Sequence, residues 1–321
     1  MLTRADVEEA AARIAGRVRT TPVAVLEPED AGGAPVGPSL FKLEMLQHSG
    51  SFKARGAFNR LLAAREAGAL PAAGVIAASG GNHGLAVGHA AARLGVRAEI
   101  LVPATAPPVK LAALRETGAA VGLHGTEYAE AYTAAKQRAA DTGALFCHAY
   151  DQPEVCAGQG TVGLELMEQA GPDGLDTVLV AVGGGGLLAG VAAAVDGRAR
   201  VVAVEPEAIP TLHDALTAGG PVDVPVSGIA ADSLGARRLG AVAHDAAVRH
   251  GVVSVLVPDA EIAAARRALW ERRRLLVEPA GAAALAALRC GAYRPEPGER
   301  VGVVLCGANT DPSDLGDGGA L

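Results

Sequence analysis

Lysine is scarce in this chain of 321 residues: of 28 basic side chains only Lys42, Lys53, Lys110 and Lys136 are lysines. A residue type this rare narrows the search for any amine that does chemistry. Cysteine is equally sparse. Cys147, Cys156, Cys290 and Cys306 form no CxxC pair and are too few for a disulfide framework in a chain this long, so a reducing cytoplasm is the expected compartment. Excess positive charge is also missing, because 35 acidic residues outweigh the basic ones and leave a net charge of -7. Nothing in that balance suggests a nucleic-acid partner. The first 22 residues mix charge with small apolar side chains and lack the apolar run of a signal peptide or membrane span, so no membrane partner is expected. The histidines form no zinc motif with neighbouring cysteines or acids, which argues against a hydrolytic metal centre.

What is present is an apolar half of the composition, enough for a large core in one domain or in two that share a cleft. Thr3 is a plausible N-cap with Asp6 three residues on, and Val7, Ala11, Ile14 and Val18 recur at helical spacing up to Thr21-Pro22. Beyond that helix, short runs of Val, Ile and Leu alternate with Ala-rich stretches, the rhythm of an α/β protein with a largely parallel sheet. Strands are predicted at 40–43, 75–78, 98–102, 120–123, 144–147, 177–182, 201–204, 252–256 and 301–306. Helices are predicted to begin near Ser51, Asn82, Pro107, Glu127, Val155, Leu187, Asp259 and Pro279. Evenly spaced βα units between about Val75 and Ala149 suggest a smaller domain inserted in a larger one. Pro210 to Gly240 is the least regular stretch, interrupted by Gly219, Gly220, Pro221 and Pro225, and is expected to cover a cleft or carry subunit contacts. The tail after Asn309 is expected to fray.

Three features carry chemistry. Lys42 falls in a predicted strand and Lys110 and Lys136 in predicted surface helices, where a solvated ammonium is the ordinary state. Lys53 instead follows the Gly50-Ser51-Phe52 turn at the start of a helix, where the helix end and partial burial both favour a neutral, nucleophilic amine. Ser79-Gly80-Gly81-Asn82-His83-Gly84 joins a strand to a helix and can aim backbone N–H groups at an anion while Asn82 offers its amide; the plainer reading is a glycine turn with Asn82 as the cap. Gly183-Gly184-Gly185-Gly186 precedes another helix and leaves main-chain amides open to a phosphate. Gly184, Gly186 and Ala189, with Glu205 ending the next strand, also satisfy the loose nicotinamide pattern. An NAD-dependent oxidoreductase is therefore a rival reading, although it leaves Lys53 and the Asn82 turn unexplained.

Taken together, the segments KLEMLQHSGSFKARGAFN (42–59), ASGGNHG (78–84), AGQGTVGLE (157–165), VGGGGLLAG (182–190), VEPE (204–207), VEPAGA (277–282) and CGAN (306–309) resemble the fold-type II pyridoxal phosphate enzymes, most closely the threonine/serine dehydratases. The blocks stand in family order over nearly the whole chain. The resemblance implies a tryptophan synthase β-like α/β fold of two open parallel-sheet domains with the active site between them: 1–72 with 151–321 as a large, discontinuous cofactor-binding domain and 73–150 as a small one. It implies that Lys53 carries pyridoxal phosphate covalently and acts as the catalytic base, with Phe52 beside the ring and Asn82 on its 3'-oxygen. Gly183, Gly184, Gly185, Gly186 and Leu187 would cradle the phosphate, Cys306 would face the pyridine nitrogen, and Glu278 would border the cofactor. Ser79, Gly80, Gly81 and His83 would line the substrate carboxylate.

The implied reaction is loss of water from serine or threonine, giving a 2-oxo acid and ammonia in a homodimeric ammonia-lyase. Racemisation, β-replacement, or dehydration of a larger β-hydroxy amino acid are the alternatives on the same fold. Serine racemases of the family carry a serine where this chain has Gly80, which disfavours two-sided proton transfer. The family's divalent-cation site would begin at Glu205, but the acid expected six residues later is Thr211, so a cation requirement is doubtful and no metal site is assigned. A C-terminal regulatory domain is not expected after CGAN. Ser233 replaces a glycine that dehydratases commonly keep beside the substrate pocket, which allows a different group at the β-carbon.

Overall fold

The computed structural model describes residues 1–315. Among the described residues ten strands form two sheets. The larger has the order β1 (Val23–Leu26), β2 (Ser39–Lys42), β10 (Val301–Val304), β7 (Thr177–Ala181), β8 (Arg200–Pro206) and β9 (Val253–Val257). The smaller has the order β5 (Ala120–Leu123), β4 (Ala98–Val102), β3 (Val75–Ala78) and β6 (Leu145–Phe146). Every pairing is parallel except β1 with β2. Strands β3, β7 and β10 are buried at every residue, which explains their unbroken apolar runs, since helices cover both faces of a parallel sheet. Among the described residues no helix is long and apolar enough to cross a membrane.

Helix Gly186–Val195 is buried along its whole length, so its sequence shows no polar face. It packs on helix Pro153–Gln169 through bare backbone: a Cβ on Gly160 would lie 2.5 Å from the Gly190 carbonyl oxygen. The same helix approaches Lys53–Glu66 at Gly158, where a Cβ would stand 2.7 Å from the Arg55 carbonyl oxygen. Glycine therefore sets how closely these three helices stack beneath the cleft.

Several expectations are corrected. The opening helix has the Thr3–Asp6 capping box but ends at Ile14, because Ala15 leaves the helical region and Gly16 turns at φ +70°. β1 was not foreseen, since VAVL is short and follows a proline. The stretch Pro210 to Gly240 holds helices Thr211–Ala218 and Ala231–Leu234. Of the tail, Pro312–Leu315 forms a 3-10 turn and residues from Gly316 lie outside the described residues.

Lys42 is the largest departure. Its side chain is fully buried, with Nζ donating to the Thr21 carbonyl, Glu165 and Gln169 at 2.8, 2.8 and 2.7 Å. Arg55, also at 0% exposure, donates to Glu44 at 2.7 and 2.9 Å and to Glu165 at 2.6 and 2.8 Å. Two cations and two carboxylates thus balance within the core, as buried charges must. Lys110, expected in a solvated surface helix, is ion-paired with Asp232.

Candidate active site

Lys53 stands where the two sheets meet. Its helix starts after a tight turn in which Ser49 and Gly50 both take positive φ, and Ser51 forms a β-bridge to Gly307 just beyond β10. The Phe52 N–H donates to the Cys306 carbonyl at 3.1 Å, so the residue before the lysine is stitched to the large sheet. The amine reaches the other way and donates to the Ala149 carbonyl at 2.8 Å, in the segment following β6. Burial lowers its pKa to about 8, so a substantial fraction is neutral near physiological pH. The Phe52 ring centre lies 5.1 Å from Nζ.

The turn after β3 faces the same space. The Gly81 N–H donates to Ser79 Oγ at 3.2 Å, and helix Asn82–Leu94 begins one residue later. A Cβ on Gly81 would meet nothing within 4 Å, and one on Gly80 only Val102 at 3.8 Å. These two glycines border open space. The Asn82 amide donates to Glu278 Oε1 at 2.6 Å, while its oxygen accepts from Asn309 Nδ2 at 2.6 Å. One amide hydrogen of Asn82 remains for a ligand. Burial, opposed by the Asn82 bond, pushes the Glu278 carboxyl up to about 7, and burial with nearby Glu278 raises the Cys306 thiol well above its ordinary value, keeping it neutral.

His83 is 3% exposed, and burial together with the Lys53 amine lowers its pKa to about 3. Its Nε2 lies 2.9 Å from the Cys147 carbonyl. Because a carbonyl only accepts, that nitrogen carries the proton and Nδ1 is a bare acceptor. Nδ1 has no partner among the described residues and is a buried acceptor left without a donor.

The four-glycine turn closes the far side. Gly185 is the N-cap of helix Gly186–Val195, at φ +85° and without a side-chain cap, so the first N–H groups of the helix are available to an anion. Side chains have no room here. A Cβ on Gly184 would overlap the Tyr150 ring, and one on Gly183 would stand 2.7 Å from the Leu234 carbonyl oxygen. Residues of the irregular stretch, Leu234, Leu239 and Gly240, pack against this turn. Tyr150 adjoins Ala149, the acceptor of the Lys53 amine, so one short segment touches both the amine and the glycine turn. A buried amine of lowered pKa, a free amide hydrogen, a neutral thiol and a nest of main-chain N–H groups suit an aromatic aldehyde bearing a phosphate.

Glu205 behaves differently. It is fully buried at the end of β8 and accepts from Leu212 N at 2.7 Å and His213 N at 2.9 Å, capping helix Thr211–Ala218, with Thr211 Oγ1 2.9 Å away. Thr211 Oγ1 in turn lies 2.5 Å from the Gly183 carbonyl. Both Glu205 oxygens are engaged by backbone N–H donors of that helix. Ser233, expected to border a substrate side chain, uses its Oγ to accept the Ala280 N–H at 3.2 Å.

Sequence reasoning had not singled out Asn309, Ala149, His148 or Tyr150. Asn309 stood inside the CGAN block, and a carbonyl that receives an amine leaves no trace in residue type.

Comparisons agree with this geometry. Residues 14–307 match the family described as pyridoxal-phosphate dependent enzyme. A phenylserine dehydratase of Ralstonia pickettii is 41% identical over 303 residues, covering 94% of this chain and 91% of the relative. An L-threonine ammonia-lyase of Geobacter sulfurreducens is 43% identical over 280 residues, 85% of this chain and 68% of the relative. Among solved structures, maize serine racemase superposes with a TM-score of 0.89 at 31% identity, covering 98% of this chain and 95% of its own. The buried amine, the glycine nest and these matches converge, and the chain belongs to the pyridoxal-phosphate dependent enzyme family, with pyridoxal phosphate as its cofactor.

Proposed function

We propose that this chain is an ammonia-lyase that removes water from a β-hydroxy amino acid, giving a 2-oxo acid and ammonia. The observation that carries the reading is Lys53: a buried amine with its pKa lowered to about 8, held between the Asn82 turn and the glycine nest. When bound, pyridoxal phosphate supplies the electron sink for the pair left at Cα. Lys53 holds the cofactor, and its freed Nζ takes the α-proton as general base. The same ammonium then has a proton to give the departing hydroxyl. Gly183 to Gly186 with Leu187 would bind the phosphate, Asn82 would donate to the ring oxygen, and Phe52 and Glu278 would flank the ring. The neutral Cys306 thiol would face the ring nitrogen and would leave it uncharged. Ser79, Gly80, Gly81 and His83 receive the substrate, the bare His83 Nδ1 accepting a hydrogen from it.

Relatives named for phenylserine and for threonine support elimination. Gly80 supports it over racemisation, because a residue with no side chain supplies no second acid or base on the opposite face. The four unpaired thiols accord with a reducing compartment, and a cytoplasmic homodimer completes the reading. The test is product analysis of the cofactor-loaded enzyme with L-serine, L-threonine and D-serine. Release of 2-oxo acid supports the lyase, whereas the inverted amino acid as main product overturns it.

A further inference from the structure

Aromatic side chains are rare here, nine in 321 residues, yet four of them join His148 in one continuous row. Tyr150 meets His148 edge-on at 4.7 Å between ring centres, His148 meets Tyr132 at 5.5 Å, and Tyr132 contacts Phe146 at 5.6 Å and Tyr128 at 6.1 Å. The row starts at the reacting centre. Ala149, between His148 and Tyr150, accepts the Lys53 amine, and the Tyr150 ring lies on Gly184. It then runs out along helix Tyr128–Thr142, where Tyr128 and Tyr132 share a face at i, i+4 spacing. Tyr132, Phe146, His148 and Tyr150 are only partly buried, so part of their surface remains open.

The charge pattern points the same way. Burial holds the His148 pKa down at about 4, leaving the ring neutral, and the Tyr150 hydroxyl is turned to the Arg238 carbonyl at 3.2 Å. Lys110 is paired with Asp232, and the exposed Lys136 ammonium sits 5.8 Å from the Tyr132 ring centre. A carboxylate at the β-carbon would meet mostly neutral rings, with Lys136 the cation beside Tyr132. An aryl group finds edges and faces that favour it, since aromatic pairs add attraction beyond the area they bury.

We propose that Tyr132, His148 and Tyr150 form an aromatic wall that receives an aryl group on the substrate β-carbon, making a 3-aryl-3-hydroxy amino acid the preferred substrate. This rests on the lyase reading. Tyr132 sets the specificity and takes no part in proton transfer. With cofactor-loaded enzyme, kcat/KM for L-threo-phenylserine is expected to exceed that for L-threonine by about tenfold, and Tyr132→Leu is expected to lower that ratio by about tenfold. Tyr132→Phe restores the ring without the hydroxyl and is expected to restore the ratio; because it is a ratio within one protein, a partial folding defect does not move it. Threonine preferred over phenylserine, or a ratio indifferent to Tyr132→Leu, overturns the wall and leaves the lyase standing. Cofactor-loaded enzyme that forms 2-oxo acid from neither substrate overturns both.

Discussion

Removing Arg55 from the buried charge network should unsettle the whole molecule. Its guanidinium makes four contacts of 2.6 to 2.9 Å to Glu44 and Glu165 at 0% exposure, only two residues from Lys53. Arg55→Met keeps much of the volume but strands Glu44, which is also fully buried. Breaking one partner of a buried ion pair costs about 3–5 kcal/mol. At about 2.1 cal/mol/K per residue, a chain this size has an unfolding entropy near 0.7 kcal/mol/K, which converts the loss to about 4–7 °C in Tm. Calorimetry of Arg55→Met, Glu44→Gln and the double variant reads the effect as a cycle, and the double variant will lose clearly less than the sum. The network also has a pH signature. Burial alone would raise the Glu165 pKa, but Arg55 and Lys42 hold it below its ordinary 4.5. That stability is present above pH 4.5 and is lost as pH falls through the lower folded value. Arg55→Met will flatten this acid limb. A Tm loss below about 1 °C, or strict additivity in the double variant, would refute the reasoning.

Four further outcomes are expected. Gly184→Ala places a methyl against the Tyr150 ring and will weaken pyridoxal phosphate binding by about tenfold or more, one such factor being only 1.4 kcal/mol, as read by absorbance titration of the apoenzyme. Capture of the cofactor by apoenzyme will accelerate as pH rises through about 8, where Lys53 loses its proton, and will level above it; stopped-flow absorbance across that range checks the midpoint. Chelation of divalent cations will leave turnover intact, because both Glu205 oxygens are engaged by the Leu212 and His213 N–H groups. Thr211→Val, which removes the hydroxyl between Glu205 and Gly183, will destabilise the protein by about 1–3 kcal/mol in denaturant titration.

Much of this architecture is legible in the residues because local signals and tertiary context agree. Strands β3, β4 and β5 were predicted residue for residue, each a short apolar run bounded by turns. Lys53, Asn82 and the four glycines stood out through rarity or through an ordering cost that packing alone does not justify. The rest was hidden for identifiable reasons. Lys42 looks like a solvated strand lysine because Glu165 and Gln169, which neutralise and solvate it, come from a helix more than a hundred residues away. Glu205 satisfied a nucleotide pattern by spacing, yet its carboxylate is consumed by a helix cap. His148 matters through a ring contact with Tyr132, which lies on helix Tyr128–Thr142, and composition does not show that the scarce aromatics gather in one place.

The central claim is a covalent bond at one amine, and borohydride reduction tests it most directly. Reduced holoenzyme is digested and its peptides are mapped by mass spectrometry. The cofactor is expected on the peptide containing Lys53 and on none containing Lys42, Lys110 or Lys136, with Lys53→Ala carrying no label and no activity. Label on another lysine, or full activity in Lys53→Ala, would contradict the account.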